Sequence, residues 1–129
     1  MSDADRSDAL RSEIAAFYAG FGQPEVLREA FLQASLLVPL IDEDRVYTSR
    51  LGGVDWVCAF TSVEEYARYM AARGVDPDQE YRYQTLFGWR LVEYAATRSE
   101  PTGVAVDITG SAPMAFPPEV TGEPVGERV

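Results

Sequence analysis

The sequence predicts an α+β fold, in which two N-terminal helices and two further helices pack on a mixed, largely antiparallel sheet of about four to six strands. Apolar residues recur at helical spacing early in the chain, short segments of strand length follow, and glycines mark the connections between them. The 129 residues suit a single domain, with an ordered core at about 8–118 and loose ends at 1–6 and 119–129.

The first two predicted elements are amphipathic helices. Between Asp8 and Gly20, apolar side chains recur at i, i+4, i+7 and i+11, namely Leu10, Ile14, Phe17 and Phe21. This spacing predicts one buried helix face. The segment "GFGQP" then interrupts the pattern. Pro24 suits the first turn of a second helix, because its missing N–H would be unpaired there in any case.

Three strands are predicted next. The segment "SLLVPLI" (35–41) is too short and too uniformly apolar for an amphipathic helix, and Pro39 predicts that it lies at an edge or a bulge. The segment "RVYTSRL" (45–51) is rich in β-branched and aromatic residues. Gly52-Gly53 predicts a tight hairpin into "VDWVCAF" (54–60). A meander of three antiparallel strands is the simplest arrangement.

The remaining elements alternate between helix and strand. A helix is predicted from Ser62 to Arg73, and Gly74 suits the left-handed position after it. The segments "YRYQTLF" and "GVAVDITG" predict strands on either side of the helix "GWRLVEYAATR". The Pro-bounded segment "SAPMAFPPEV" is predicted to be extended, since proline cannot continue a helix.

The single cysteine and the hydroxyls that follow it have structural explanations. Alternation places Cys58 between Trp56 and Phe60 on an apolar strand face, where burial raises the pKa of a thiol and makes it inert. Thr61 to Glu64 and Ser62 to Glu65 each match a capping box at the start of the next helix. A cap is therefore predicted here in preference to a catalytic group.

The charge and the missing residue types exclude several function classes. There are 11 basic and 21 acidic residues, a net charge of −10, which argues against nucleic acid and against anionic membranes as partners. The chain contains no His, no Lys and no Asn. A Ser–His or Cys–His dyad and a Schiff-base lysine are therefore absent. We expect no enzymatic activity and no cofactor.

The acidic segments do not predict a metal site. Asp42–Asp44 and the pair Asp76 and Asp78 lack the spacing of a calcium-binding loop, so we interpret them as solvated turn charge. The N-terminus is polar and acidic, no apolar run approaches 18 residues, and one cysteine forms no internal disulfide. These features predict a cytoplasmic protein without a signal peptide, and the codon bias implied by the composition indicates a bacterium.

Aromatic side chains in two segments form the candidate interaction surface. Tyrosine and tryptophan are enriched at binding hot spots. On an exposed edge strand these side chains would form a recognition surface, and in the interior they would be ordinary core. The candidate residues are Tyr81, Tyr83, Phe87, Trp89, Met114 and Phe116.

Four segments together are typical of one known family. They are the early strand "LLVPL", the strand and helix "CAFTSVEEYARYM", the glycine before the helix "FGWRLVEYA", and "GVAVDITGSAPMAFPPEV". From about Leu36 to Val120 the chain resembles the N-terminal domain of the SseB family. The resemblance implies a small α/β domain without established catalytic residues. Many members carry Asn-Pro where Asp107-Ile108 stands here, so no role of that turn is transferred.

Three functions stay open at this level. The first is a non-enzymatic protein-interaction module, whose partner is either another protein, for which the acidic charge favours a basic one, or a second copy in a homodimer. The second is an acidic inhibitor or immunity protein for a basic toxin or nuclease. The third is a small enzyme that uses carboxylates alone.

Overall fold

A computed structural model describes residues 2–41, 45–74 and 82–118, and it has the predicted α+β architecture. The elements in chain order are α1 (Asp3–Tyr18), α2 (Pro24–Gln33), β1 (Ser35–Ile41), β2 (Arg45–Val46), β3 (Thr48–Leu51), β4 (Val54–Ala59), α3 (Val63–Ala72), β5 (Tyr83–Phe87), α4 (Gly88–Thr97), β6 (Thr102–Val106) and β7 (Met114–Phe116). The acidic turn 42–44, the loop with Asp76 and Asp78, Tyr81 and the end 119–129 lie outside the described residues.

The strands form two sheets that meet at one bridge. Their orders are β2-β1-β5 and β3-β4-β6-β7. Leu37 donates its N–H to the Phe60 carbonyl at 2.8 Å, and Phe60 donates its own to the Leu37 carbonyl at 2.9 Å. Only the β4–β6 pairing is parallel among the strand pairs of the described chain. The prediction of a mixed, largely antiparallel arrangement is confirmed, although it is divided between two sheets.

The predicted three-stranded meander is only partly correct. The segment 45–51 changes partner at Tyr47, because β2 pairs with β1 whereas β3 pairs with β4. The hairpin between β3 and β4 is confirmed. Gly52 and Gly53 have φ values of 63° and 83°, the left-handed conformations that a two-residue turn of this kind requires.

Pro39 lies in a central strand, so the prediction of an edge position is wrong. Leu37 donates its N–H to Phe60, and Leu40 donates to Arg82 on the opposite side of β1. Because successive N–H groups of a strand point to opposite sides, the Pro39 nitrogen faces the same side as the Leu37 N–H. On that side the partner of β1 changes from β4 to β2. The Pro39 carbonyl still accepts from Tyr47 N–H at 3.0 Å. The strand tolerates proline because only the hydrogen bond that a residue-39 N–H would donate is lost, while the bond accepted by the Pro39 carbonyl is kept.

Helix α1 begins at Asp3, five residues before the predicted start at Asp8. The prediction that residues 1–6 form a loose end is therefore wrong for residues 3–6. Ser2 Oγ accepts the Asp5 N–H at 3.2 Å and caps the helix. The helix ends at Tyr18, before its predicted apolar face is complete. Leu10 and Ile14 are buried as predicted. The other two members of that face, Phe17 and Phe21, are 48% and 80% exposed, so they do not belong to the core.

Helices cover both faces of the strands. The core against α1, α2 and α4 contains Leu10, Ile14, Leu27, Phe31, Leu36, Val38, Val57, Leu91, Val104 and Val106. The core beneath α3 contains Leu37, Cys58, Phe60, Tyr66 and Tyr69. Neighbouring strand residues thus alternate between the two cores, as the period of two requires. No helix among the described residues is long and apolar enough to cross a membrane.

Candidate functional site

The structure separates the six residues of the predicted interaction surface. Tyr81 lies outside the described residues. Phe87 and Trp89 stack where β5 runs into α4, and Tyr83 lies at the beginning of β5 against Tyr66. Met114 and Phe116 belong to β7 in the other sheet. The predicted surface therefore combines residues of β5 and α4 with residues of β7, which lie in different sheets.

Met114 and Phe116 contribute mainly to the core. Both are half-buried and pack against the core beneath α1, α2 and α4. The Phe116 ring stacks on Phe31 with a centroid separation of 4.1 Å and an interplanar angle of 11°. This stacking holds β7 against α2. These two side chains therefore have a structural explanation.

We call the following residues the β5 corner: Phe87 and Trp89 at the end of β5, Arg6 and Arg90 on their rings, and Tyr83 at the beginning of the strand. Tyr83 is 44% exposed and Trp89 is 39% exposed. The Phe87 and Trp89 rings stack with centroids 6.1 Å apart. The Arg6 guanidinium lies 5.4 Å from the Phe87 ring, and that of Arg90 lies 5.6 Å from the Trp89 ring. Cation–π contacts thus hold large rings at the surface.

Among the described strands, β5 is an outer strand, with β1 on one side and no strand on the other. Gly88 donates its N–H to Ala34, and the Arg82 carbonyl accepts from Leu40, so residues 82, 84, 86 and 88 face β1. The N–H groups of Tyr83 and Thr85 consequently face outward. Neither has a hydrogen-bond partner within the part of the chain that the structure describes.

The other outer strands are shorter than β5. Strands β2, β3 and β7 have two, four and three residues, whereas β5 has five. Strand β7 is also flanked by Pro113 and Pro117, which lack an N–H for pairing. Natural sheets commonly protect their edges by such devices. Among the described outer strands, β5 therefore offers the longest template for an added strand.

The buried thiol lies under a cap of tyrosine and arginine side chains. Cys58 is 1% exposed, as predicted, and burial raises the pKa of its thiol. Its sulfur lies 4.0 Å from the Tyr69 hydroxyl. Arg73 donates to the hydroxyls of Tyr69, at 2.9 Å, and Tyr47, and its guanidinium lies over both rings. This cap closes the cysteine off and anchors the end of α3.

The two tyrosines of this cap are shifted in opposite directions. Burial raises the pKa of Tyr69, and the hydrogen bond with Tyr47 raises it further. Burial acts in the same sense on Tyr47, but hydrogen bonds with Tyr69 and Arg73 outweigh it and lower the pKa of Tyr47. Both pKa shifts come from burial and from hydrogen bonds within the cap, so they have a structural explanation.

A carboxylate at the start of β4 is held between two arginines. Asp55 is 7% exposed, and its carboxylate accepts from Arg98 at 2.5 Å and from Arg50 at 2.8 Å. The hydrogen bond from Arg98 lowers the pKa of Asp55, and the charge of Arg50 contributes to the same shift. Arg98 also donates to Thr102 and Tyr94, so it joins α4 to β6. It borders a cavity of about 370 Å³ between α2, α4 and β6.

Replacing Asp55 by asparagine is expected to lower the urea midpoint at neutral pH and to do so less in acid. A carboxyl whose pKa is lower in the folded state stabilises the fold above its unfolded pKa, near 3.8, and loses that contribution as pH falls through the folded pKa. Urea titrations at several pH values measure the gap between wild type and variant. The exposed control Glu93→Gln should leave the midpoint almost unchanged. A gap of constant size at all pH values would contradict the assignment.

A second buried carboxylate follows β6. Asp107 is 6% exposed and has a φ of 52°, the only positive φ outside glycine among the described residues. Its two oxygens accept the Thr61 N–H at 2.9 Å and the Thr61 hydroxyl at 2.7 Å. Arg11 donates to the same hydroxyl at 2.9 Å. Burial raises the pKa of Asp107, and these bonds from Thr61 oppose the rise. The turn therefore fastens β6 to the start of α3.

A hydroxyl-rich groove of about 300 Å³ opens beside Thr61. It lies between α1, the first turn of α3 and the β1–β5 face, and sequence reasoning did not predict it. Six of the residues that line it carry a hydroxyl group, namely Ser7, Ser35, Thr61, Ser62, Tyr83 and Thr85. Ser62 is the cap of α3, since its Oγ accepts the Glu65 N–H at 3.2 Å. This selects Ser62 over Thr61 from the two capping boxes that the sequence offered.

Neither a metal centre nor a known relative defines the site. Within residues 2–41, 45–74 and 82–118, no group of three or more Cys, Asp and Glu side chains could hold a metal ion. No protein-family model, no curated protein and no solved structure matches the chain. The resemblance to the SseB family therefore stays a prediction. The β5 corner and the hydroxyl groove are the two candidate sites.

Proposed function

We propose that this protein is a non-enzymatic protein-interaction module that binds an extended segment of a partner along β5. The observation that carries the proposal is the pair of outward-facing N–H groups, from Tyr83 and Thr85, on the longest described outer strand. An extended segment that adds to such an edge gains main-chain hydrogen bonds. Its side chains then meet the neighbouring surface at alternate positions, which gives specificity.

The β5 corner supplies side chains suited to this binding. Aromatic and arginine side chains are the residue types that most often dominate the binding energy of an interface. Trp89 contacts both the Phe87 ring and the Arg90 guanidinium. A ring that is already held in place loses little conformational entropy when a partner covers it. The corner is therefore suited to anchor the segment that β5 aligns.

The positions of Asp55 and Asp107 argue against an enzyme that uses these two carboxylates as a pair. Asp55 pairs with Thr102 at one end of the parallel strands, whereas Asp107 follows their other end. Four to five residues of strand separate the two carboxylates by roughly 15 Å. Pairs of carboxylates that act on one glycosidic bond lie about 5–9.5 Å apart. Each carboxylate is also occupied by bonds within the chain.

The charge of the corner bears on the kind of partner. Two arginines lie on its rings, which favours a neutral or acidic segment, whereas the net charge of the whole chain favours a basic partner. The acidic inhibitor for a basic toxin or nuclease is the alternative proposal. The sequence still predicts that the protein is bacterial, cytoplasmic and SseB-like, and that it forms either a complex with another protein or a homodimer.

A photoreactive amino acid in place of Tyr83 or Trp89 is expected to cross-link to one and the same partner in the cells that produce this protein. The reason is that both positions border the proposed binding edge. Gel electrophoresis and mass spectrometry of the adducts identify the partner. Leu51, which is 73% exposed at the β3–β4 hairpin, serves as the matched control position. Equal adducts from Leu51, or none from β5, would refute the proposal.

The variant Thr85→Pro tests strand addition itself. Proline removes the outward N–H of Thr85 and leaves the bonds between β1 and the even-numbered residues of β5 in place. Adducts from Trp89 should disappear while circular dichroism shows that the variant still folds. Persistence of the adducts would show that the partner binds the rings without adding a strand.

A further inference from the structure

We propose that the partner of β5 is a second copy of this chain, which adds its own β5 to form a symmetric dimer. This inference rests on the proposed binding along β5 and names the segment that binds there. Two copies related by a twofold axis present the same strand to each other, and the two edge strands then run antiparallel. The three-stranded sheets of the two copies would thereby become one continuous sheet.

One antiparallel register uses the whole strand. The backbone groups that face outward belong to the odd-numbered residues of β5, so odd-numbered residues must lie opposite one another in the pair. With Thr85 on the twofold axis, Thr85 faces Thr85 and Tyr83 faces Phe87, so the strand is paired along its full length. An axis at Gln84 or Leu86 would leave one end of the strand without an opposite residue in the other β5. The register centred on Thr85 therefore gives the most main-chain hydrogen bonds.

The side chains of β5 complement themselves in this register. Aromatic pairs and threonine pairs that lie directly opposite each other stabilise antiparallel strands. The pair of Tyr83 with Phe87 occurs twice, and Thr85 meets Thr85 of the second copy between them, all on one face of the sheet. Gln84 lies opposite Leu86 on the other face. Because no residue of β5 is charged, the pairing opposes no like charges along the strand.

The face of β5 that would carry these pairs borders open space. Tyr83 and Thr85 both line the hydroxyl groove, and both side chains are exposed. The Tyr83 ring packs edge-on against Tyr66, with centroids 5.3 Å apart, and remains 44% exposed. The ring is thus held in place before a second copy arrives, which reduces the entropy that pairing costs.

The charges of the chain define how this dimer should behave. Arg6 and Arg90 place positive charge at the end of β5, where a neutral strand from an acidic chain is a suitable partner. The net charge of −10 on each copy opposes association at longer range, and salt screens that repulsion. The paired edge has only five residues per copy, so the interface is small. We therefore expect reversible association that rises with protein concentration and with salt, whereas binding of an oppositely charged partner would weaken with salt.

Disulfide formation between introduced cysteines tests both the partner and the register. Directly opposite residues of a hydrogen-bonded antiparallel pair have Cα atoms about 5.5 Å apart, which suits a disulfide, whereas diagonal residues lie about 7–8 Å apart, which does not. With oxidised glutathione, Thr85→Cys should therefore form a covalent dimer about tenfold faster than Gln84→Cys, its exposed neighbour on the strand. Cys58 is 1% exposed and should not react. Equal rates for the two variants, or no dimer from Thr85→Cys, would overturn the inference.

Analytical ultracentrifugation of the unmodified chain measures the association without introduced cysteines. The average mass should rise with concentration from 14.3 kDa towards twice that value. Thr85→Pro should weaken the association by about thirtyfold, since each copy loses one main-chain hydrogen bond. Thr85→Val keeps its N–H and is the matched control, which should associate as the wild type does. A chain that stays monomeric while Tyr83 and Trp89 positions cross-link to another protein would refute the dimer and leave the proposed function intact, whereas the absence of both would refute both.

Discussion

Replacing Phe60 by alanine is expected to lower the free energy of unfolding by about 3–5 kcal/mol. Phe60 is fully buried beneath α3, and its ring centroid lies 5.1 Å from that of Tyr69 and 5.7 Å from that of Tyr66. Its backbone also makes the bridge to Leu37 that joins the two sheets. The smaller side chain leaves a cavity where both sheets and α3 meet. Urea denaturation followed by circular dichroism measures the loss.

The matched control is the same substitution at Phe17. Its side chain is 48% exposed at the end of α1, so Phe17→Ala should change the free energy of unfolding by no more than about 0.5 kcal/mol. Similar losses for the two variants would mean that Phe17 is buried in solution, as the helical spacing of the sequence predicts. Such a result would contradict the position of α1 in this structure.

Replacing Gly88 by alanine is expected to cost about 3 kcal/mol, which is at the upper end of the usual range for an overpacked site. A Cβ at this position would lie 1.9 Å from the carbonyl oxygen of Phe31 and 2.7 Å from its carbonyl carbon. Both atoms belong to the backbone of α2, so relief requires α4 to move away from α2. Urea denaturation measures the cost.

Gly20 provides the comparison for this substitution. It has a φ of 88°, and a Cβ there would meet nothing within 4 Å. Gly20→Ala should therefore cost only the strain of a left-handed residue, about 1–2 kcal/mol. A loss at Gly88 no larger than the loss at Gly20 would show that α2 and α4 are less closely packed than described. Because Trp89 follows Gly88, its fluorescence should also change in the first variant only.

The sequence predicted most elements because local signals are strong there. Pro24 and the Gly52-Gly53 pair act through their own backbone preferences, and both were assigned correctly. The ends and partners of elements depend on tertiary contacts instead. Helical spacing continues through Phe21, but it does not reveal that α1 ends at Tyr18. Nothing in "RVYTSRL" indicates that the strand changes partner at Tyr47, since pairing is decided by the whole sheet.

The candidate sites were predictable to different degrees. Clustered aromatic residues drew attention to Tyr83, Phe87 and Trp89. Phe87 and Trp89 stack on each other, whereas Tyr83 lies at the other end of β5, against Tyr66. The same pattern also included Phe116, because the sequence of an extended segment does not show whether an aromatic side chain packs inward or outward. The hydroxyl groove draws its members from α1, α3, β1 and β5, so no stretch of sequence contains it. A serine that opens the apolar strand β1 was the one local sign.

The parallel pairing of β4 with β6 has a consequence for the order in which the chain folds. The β3–β4 hairpin closes over two glycines, so its strands meet early and at little entropic cost. Strand β6 is separated from its partner β4 in the chain by α3, β5 and α4, and a similarly long stretch separates β5 from its partner β1. Long-range pairings of this kind are slow to form. The edge that we propose for partner binding is therefore among the last features of the domain to appear, and a nascent chain cannot present it before β1 and β5 have met.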